Sequence, residues 1–369
     1  MGQTRSRKIW AAVILGMIPW GAQADQLTTS AGDFSITQIA RGFDQPWAVG
    51  LLPGGDLLVS ERGGALIHVS GARKTKLGGV PQVVTRGQGG LLDITVARDF
   101  ASTREVFLTY VRPLSSGAGT ALAVARLADD ARSLENLRVL FQSLPGLSSG
   151  RHFGSRVVEA RDGTLFVTLG DRGDRPGAQD RASHHGSVVR INRDGSVPRD
   201  NPFVGQAGVR PEIWSFGHRN VQGAALDRAG NLWTAEHGAR GGDEVNRVQK
   251  GANFGWPVIS YGRHYSGGKI GQGTAKPGLE QPRHYWDPSI APSGLAVLSG
   301  DLVGDWRGDL LVGSLKFDYI ARLSGSPLRE VEQIKAPETR RVRDVVQGKD
   351  GAIWFVSVDR GAVYRIARD

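Results

Sequence analysis

The stretch "DGTLFVTLGD" (Asp162–Asp171) sets the pattern that repeats along this chain: a Gly-containing turn, then four or five residues alternating apolar and polar. Alternation with period two is the mark of a half-buried β-strand. The same turn, strand, short loop and second strand return as "GGDLLVSERGGALIHV" (Gly54–Val69), "AGNLWTAEHGARGGDEVNRV" (Ala229–Val248), "RGDLLVGSLKFDYIARL" (Arg307–Leu323) and "DGAIWFVSVDRGAVYRI" (Asp350–Ile366). "REVFLTYVRPLSSGAGTALAVARL" (Arg104–Leu127) is a looser copy, and the opening stretch continues to a second strand ending at Asn192. Helical periodicity is scarce, so the chain reads as all-β. Two adjacent strands cannot bury both faces alone. Six such copies solve this by repeating around an axis, and the pattern predicts a propeller. A β-sandwich or β-helix fits the number and irregular spacing of the copies less well.

The first 24 residues do not belong to this pattern. "MGQTRSRK" is basic, "IWAAVILGMIPWG" is apolar and "AQA" ends in small residues at Ala24, the three parts of a secretory signal peptide. Its apolar run is short for a membrane span. The expected mature chain is one domain, residues 25–369, with no membrane span after cleavage and a bacterial periplasmic or secreted location. It has no cysteine, so a large core must hold it together without disulfides.

The formal charge of the whole chain is +10, three charges of which (Arg5, Arg7, Lys8) leave with the leader. There is no run of Lys or Arg and no basic helix, which argues against nucleic acid and leaves an anionic ligand or plain solubility.

The segments between copies hold the chemistry-bearing side chains. "GRHFGSR" places His152 between arginines, and "PEIWSFGHRNVQG" carries His218, Arg219 and Asn220. "EHGARGGDEVN" surrounds a carboxylate pair, Asp243 and Glu244, with glycines. "GSLKFD" leaves Lys316 at a strand end, and "RRVRDV" sets Arg341 and Arg343 two apart, on one face of an extended segment. Each has an ordinary reading as a solvated charge, a turn cap or a satisfied core histidine. Propeller loops converge on one axial mouth, however, and several cations there ask for a polyanionic ligand.

The ordered series "RHFGSR", "LGDRG", "PEIWSFGHRN", "EHGARGGDEVN", "NFGWP", "WDPSIAPSG", "GSLK" and "RVRDV" resembles the soluble aldose sugar dehydrogenases, relatives of the soluble quinoprotein glucose dehydrogenases. The resemblance runs from "GFDQPWAV" near residue 42 to "YRI" ending at Ile366. It implies a six-bladed β-propeller with pyrroloquinoline quinone (PQQ) over its mouth, and oxidation of an aldose at C1 to the lactone with hydride transfer to PQQ. By the same resemblance His152 is the base and Arg219 and Asn220 contact the quinone. Lys316, Arg341 and Arg343 hold the cofactor carboxylates, while Gln88, Asp171 and Trp286 lie near the sugar. The carbonyls of Gly238 and Ala239 bind calcium beside PQQ, and the Glu244 side chain with the Phe254 carbonyl forms a second calcium site.

The chemistry is coherent. Three cofactor carboxylates match a Lys and two Arg, calcium takes oxygen ligands, and a histidine base titrates near working pH. Neighbouring cations are expected to keep His152 neutral. The chain departs from the family at Ala239 and Val221, where proline is common, and at Ser155, where glycine is common. Two other classes remain open at this point. One is a calcium-dependent, lactonase-like propeller hydrolase, which needs acidic ligands on the axis. The other is a sugar-binding propeller without chemistry. The electron acceptor is external and unidentified, and the chain is a monomer or homodimer.

Overall fold

Six antiparallel sheets, each built mainly from consecutive strands, are arranged as a β-propeller in the computed structural model, which describes residues 24–368. The expected signal peptide lies outside the described residues apart from the backbone of Ala24. Blade 1 comprises Pro46–Leu51, Leu57–Glu61, Ala65–Ser70 and Arg73–Lys76. Blade 2 comprises Leu91–Val96, Glu105–Leu114, Gly117–Leu127 and Leu134–Gln142. Blade 3 is Val157–Glu159, Leu165–Thr168, Val188–Ile191 and Ile213–Ser215, and blade 4 is Val221–Leu226, Leu232–Glu236, Asp243–Val248 and His284–Trp286. Blade 5 is Pro292–Val297, Leu310–Ser314, Ile320–Ser324 and Arg329–Ile334.

Blade 6 closes the ring. Its first three strands, Val342–Gln347, Ile353–Ser357 and Ala362–Ala367, come from the end of the chain, and Gly32–Arg41 from the beginning completes it. The pairing puts Ile36 opposite Ile366, and Ala24–Thr29 adds a fifth strand. Sharing one sheet between the two ends of the chain leaves no open seam between first and last blades.

The six copies read from the sequence are the second and third strands of the six blades. Their apolar runs are plain, and neighbouring blades cover both faces: every residue of Leu165–Thr168 and of Val188–Ile191 is buried. Outer strands such as Arg329–Ile334 bury little, and first strands face the axis.

Arg156, just before the first strand of blade 3, locks that axis. Its Nε donates to the Gln222 carbonyl of blade 4 (2.7 Å), and Nη1 donates to Asp93 of blade 2 (2.8 Å). Nη2 pairs with Asp344 of blade 6 (2.8 Å), and the guanidinium lies 4.4 Å from the ring centroid of Trp47 in blade 1. One side chain therefore ties four other blades to its own. Removing one member of a buried, fully bonded ion cluster of this kind costs about 3–5 kcal/mol.

Candidate functional site

Two sets of loops at one end of the propeller build a cavity of about 670 Å³. One set leads into the first strands and brings Gln88, Gly154, Asn220 and Arg341 to the wall, with Trp47 at the start of the first strand of blade 1. The other follows the second strand and brings Arg62, His237 and Lys316. Arg343 reaches the wall from the first strand of blade 6. None of the lining residues is acidic.

The cations are therefore left without carboxylate partners inside the cavity. Arg343 is pushed down to about 9, by burial first and then by Arg156 and Arg341. Its guanidinium packs 4.3 Å from the Trp47 centroid and donates to the Gln222 side chain (2.7 Å). Lys316 and Arg341 are exposed toward solvent. The backbone of Arg341 is held at φ 48° by its N–H bond to Asp318 (2.8 Å), a left-handed conformation that is unusual for a non-glycine residue. The expected trio is thus brought together, and Arg62 joins it.

His152 stands beside this cavity, also left-handed at φ 55°. Its N–H donates to the Gln88 side-chain oxygen (2.7 Å), leaving the Gln88 amide NH₂ for another partner. Its ring Nδ1 lies 2.6 Å from Asp171 Oδ1. Asp171 is fully buried, and burial alone would raise its pKa. The bond from His152, the Gly173 N–H and Arg219 outweigh burial and hold it below the ordinary carboxylate range. An ionised Asp171 can only accept, so His152 carries its proton on Nδ1 and presents the Nε2 lone pair. Burial is the first cause that lowers the His152 pKa, with Arg219 and Arg151 adding to it. The expectation that neighbouring cations keep the ring neutral names the smaller cause.

Asp171 stands directly behind the expected base. Oδ1 is taken by His152 and Gly173, and Oδ2 accepts from Trp256 Nε1 (2.8 Å). With no accessible surface, it orients the histidine from behind. Trp286 is likewise engaged within the protein. Its buried indole packs between blades 4 and 5 and donates to Glu330 (2.6 Å).

Arg219 is buried, with its N–H on Glu236 (2.7 Å) and Nη1 on the His237 carbonyl (3.0 Å), while Nε has no partner. A buried guanidinium nitrogen without a partner is the kind of donor that a bound oxygen satisfies. The side-chain oxygen of Asn220 accepts from Gly154 N–H and Gln222, which leaves its NH₂ group. His237 donates Nε2–H to the Pro292 carbonyl (2.8 Å), so its Nδ1 is a bare acceptor. Burial, then Arg219 and Arg343, push His237 down to about 3.

Behind Arg219 lies a carboxylate cluster. Asn246 donates to both Glu236 (3.0 Å) and Glu244 (3.2 Å), and Phe254 stacks on His218 at 4.5 Å. Burial and then Glu236 push Glu244 up to about 8. Glu236 is already met by His218 Nδ1 (2.8 Å) and the Arg219 N–H, so Glu244 is the carboxylate left to meet a divalent ion. The Ala239 carbonyl accepts Arg263 N–H (2.8 Å) and keeps one lone pair, and Ala239 itself is buried against Ala178, Trp256 and Ile270. Among the described residues no three His, Cys, Asp or Glu side chains converge on one metal position. A calcium ion here would take most of its ligands from carbonyl oxygens, as the loop at Gly238 and Ala239 offers.

Arg62 and His237 were not singled out in the sequence. Each follows the second strand of its blade, as Lys316 does, and that repeat position was the available signal.

Comparison with known proteins agrees with this architecture. A sequence model of the family described as Glucose / Sorbosone dehydrogenase matches residues 43–365. Aldose sugar dehydrogenase YliI of Escherichia coli (strain K12) is 39% identical over 350 residues, covering 92% of this chain and 94% of that protein. The crystal structure of the soluble aldose sugar dehydrogenase from Escherichia coli in its apo form superposes with a TM-score of 0.87 over 91% of this chain and all of that one. The PQQ-bound aldose sugar dehydrogenase from Streptomyces coelicolor is 26% identical, with a TM-score of 0.74, covering 94% of this chain and 99% of that one. The chain belongs to the glucose/sorbosone dehydrogenase family.

Proposed function

We propose that this protein is a PQQ-dependent, calcium-requiring aldose dehydrogenase that oxidises the sugar at C1 to the lactone. The observation that carries the reading is the pairing of two features at one mouth: a cavity walled by four cations and no carboxylate, and a neutral histidine with its Nε2 free beside it. The residues fit the cofactor. Lys316, Arg341, Arg343 and Arg62 would hold its three carboxylates, and Arg219 has a donor to spare. When bound, the quinone supplies the two-electron acceptor.

The protein's own work is positional and electrostatic. His152 takes the proton of the C1 hydroxyl at Nε2, and Asp171 stabilises the imidazolium that results. Gln88 offers its NH₂ group to a sugar hydroxyl. Calcium would be held by the Gly238 and Ala239 carbonyls, and a second ion by Glu244 and the Phe254 carbonyl.

The hydrolase reading is disfavoured at the axis. The two carboxylates there, Asp93 and Asp344, are already paired with Arg156. No helix of the described residues is long and apolar enough to cross a membrane. We place the mature chain, residues 25–369, in the periplasm or outside the cell on the strength of its leader sequence.

Reconstitution tests the proposal. The purified mature chain is titrated with PQQ in the presence of calcium, and dye reduction is followed with a panel of aldoses. Tight PQQ binding and aldose-dependent reduction are expected. PQQ binding without reduction by any aldose would leave a binding protein, and absence of PQQ binding would overturn the reading.

A further inference from the structure

Arg172 follows Asp171 in "LGDRG", is buried, and has a left-handed backbone at φ 58°. Its hydrogen bonds run to carbonyl oxygens. Nε donates to the Arg151 carbonyl (3.1 Å), Nη1 to the Ala118 carbonyl in the third strand of blade 2 (2.7 Å) and Nη2 to the Ser149 carbonyl. The Arg172 N–H donates to the His152 carbonyl (3.3 Å). Its guanidinium carbon lies 3.7 Å from the ring centroid of Phe153.

These contacts bracket His152. Ser149 and Arg151 precede it, Phe153 follows it, and the Ala118 carbonyl anchors the group to blade 2. Burial pushes Arg172 down to about 10, with the charge of Asp171 opposing it. A buried charge bonded to neutral carbonyls recovers less of its lost hydration than one set against a carboxylate. What the guanidinium provides here is shape: a planar fork that reaches three carbonyls at once.

The segment it holds is one the chain would not adopt unaided. His152 sits at φ 55° and Ser155 at φ 108°, conformations that persist only where the surroundings impose them. Two consecutive residues therefore fix the base from two sides. Asp171 meets the ring at Nδ1, and Arg172 holds the backbone from which the ring projects.

We propose that Arg172 is a positioning residue for His152: it holds the 149–153 segment so that the His152 Nε2 stays in its working place, and it acts only through that histidine. The inference rests on the aldose reading above.

The first readout needs no cofactor. Long-range proton–nitrogen NMR spectra of the purified mature chain report the tautomer and titration of His152, identified by the signals lost in His152→Gln. The wild type is expected to show the Nδ1–H tautomer and a midpoint below 6.5. Arg172→Lys keeps the charge and loses the fork, while Arg172→Gln leaves no charge to bury. Both are expected to show a mixture of His152 tautomers and a midpoint moved up toward 6.5, as water reaches the ring.

The second readout uses the protein loaded with PQQ and calcium, with D-glucose as probe. In both variants kcat should fall about 10- to 100-fold, while the KM and the PQQ titration each move less than about threefold. The acidic limb of kcat/KM should follow the NMR midpoint upward. A folded variant with wild-type His152 spectra, or with a kcat within about threefold of wild type, would overturn the proposal. Unfolding of both variants would overturn it too, since Arg172 would then be a structural prop. Failure of the aldose reading shows separately, as a wild-type protein that binds PQQ and oxidises no sugar, and the spectra of the unloaded chain then decide the role of Arg172.

Discussion

His152 Nδ1 and Asp171 Oδ1 are 2.6 Å apart, with Asp171 fully buried and His152 at the cavity edge. This relationship sets the tautomer of the histidine and thereby makes its Nε2 the basic nitrogen. Replacing Asp171 by Asn keeps the shape and removes the obligation to accept. The amide can then donate to Nδ1, which moves the proton to Nε2. Asp171→Asn is expected to lower kcat/KM by about 10²–10⁴-fold, the range of a lost general base. PQQ affinity should be unchanged, and steady-state kinetics with a parallel PQQ titration check both. The wild-type acidic limb should fall below the ordinary histidine pKa, because burial, Arg219 and Arg151 lower it.

Glu244 predicts a proton count. At pH 7 it is held protonated by burial and by Glu236, with a pKa of about 8. A calcium ion at this carboxylate must displace that proton. Calorimetry in buffers of different ionisation enthalpy should show about one proton released per ion bound here at pH 7, and fewer at pH 9. In Glu244→Gln the release should vanish and this site's affinity should fall.

Ser155 holds a φ of 108°, a conformation in which glycine is at ease and serine is strained. Its hydroxyl makes one long bond to the Phe153 carbonyl (3.3 Å), so little is lost with the side chain. Ser155→Gly is expected to stabilise the protein by about 1 kcal/mol and raise Tm by about 2 °C, read by calorimetry.

His237 gives a stability prediction with a definite sign. Its folded pKa of about 3 lies below the unfolded value of 6.5. The unfolded chain therefore binds a proton that the native chain refuses as pH falls through 6.5, and stability drops toward pH 3. His237→Gln can still donate to the Pro292 carbonyl. It should show a shallower loss of stability over that window in urea melts at stepped pH.

The middle strands of every blade were legible because neighbouring blades bury both their faces, which demands short apolar runs bounded by glycine-containing turns. The outer strands bury little and the first strands serve the axis, so neither carries a clean period. Arg156 looked like one more arginine in "HFGSR", since a contact to four other blades has no local signature. Lys316, Arg341 and Arg343 were legible as cations that do not suit a strand end or face. Arg62 was hidden in an ordinary "ERGG" turn, although its place after a second strand matches that of Lys316. The side-chain partners of Asp171 and Trp286 were not legible, because a motif gives a residue's neighbours along the chain while packing sets the direction of its side chain. Asp171 turns inward to Trp256, and Trp286 turns to Glu330.

The most direct measurement is kcat/KM for glucose in the PQQ- and calcium-loaded protein, compared between wild type and His152→Ala, with PQQ affinity measured on both. A fall of about 10²–10⁴-fold at unchanged PQQ affinity is predicted, since the variant keeps the cation-walled cavity and loses only the free Nε2. A variant that oxidises glucose within about threefold of the wild-type rate would contradict His152 as the base.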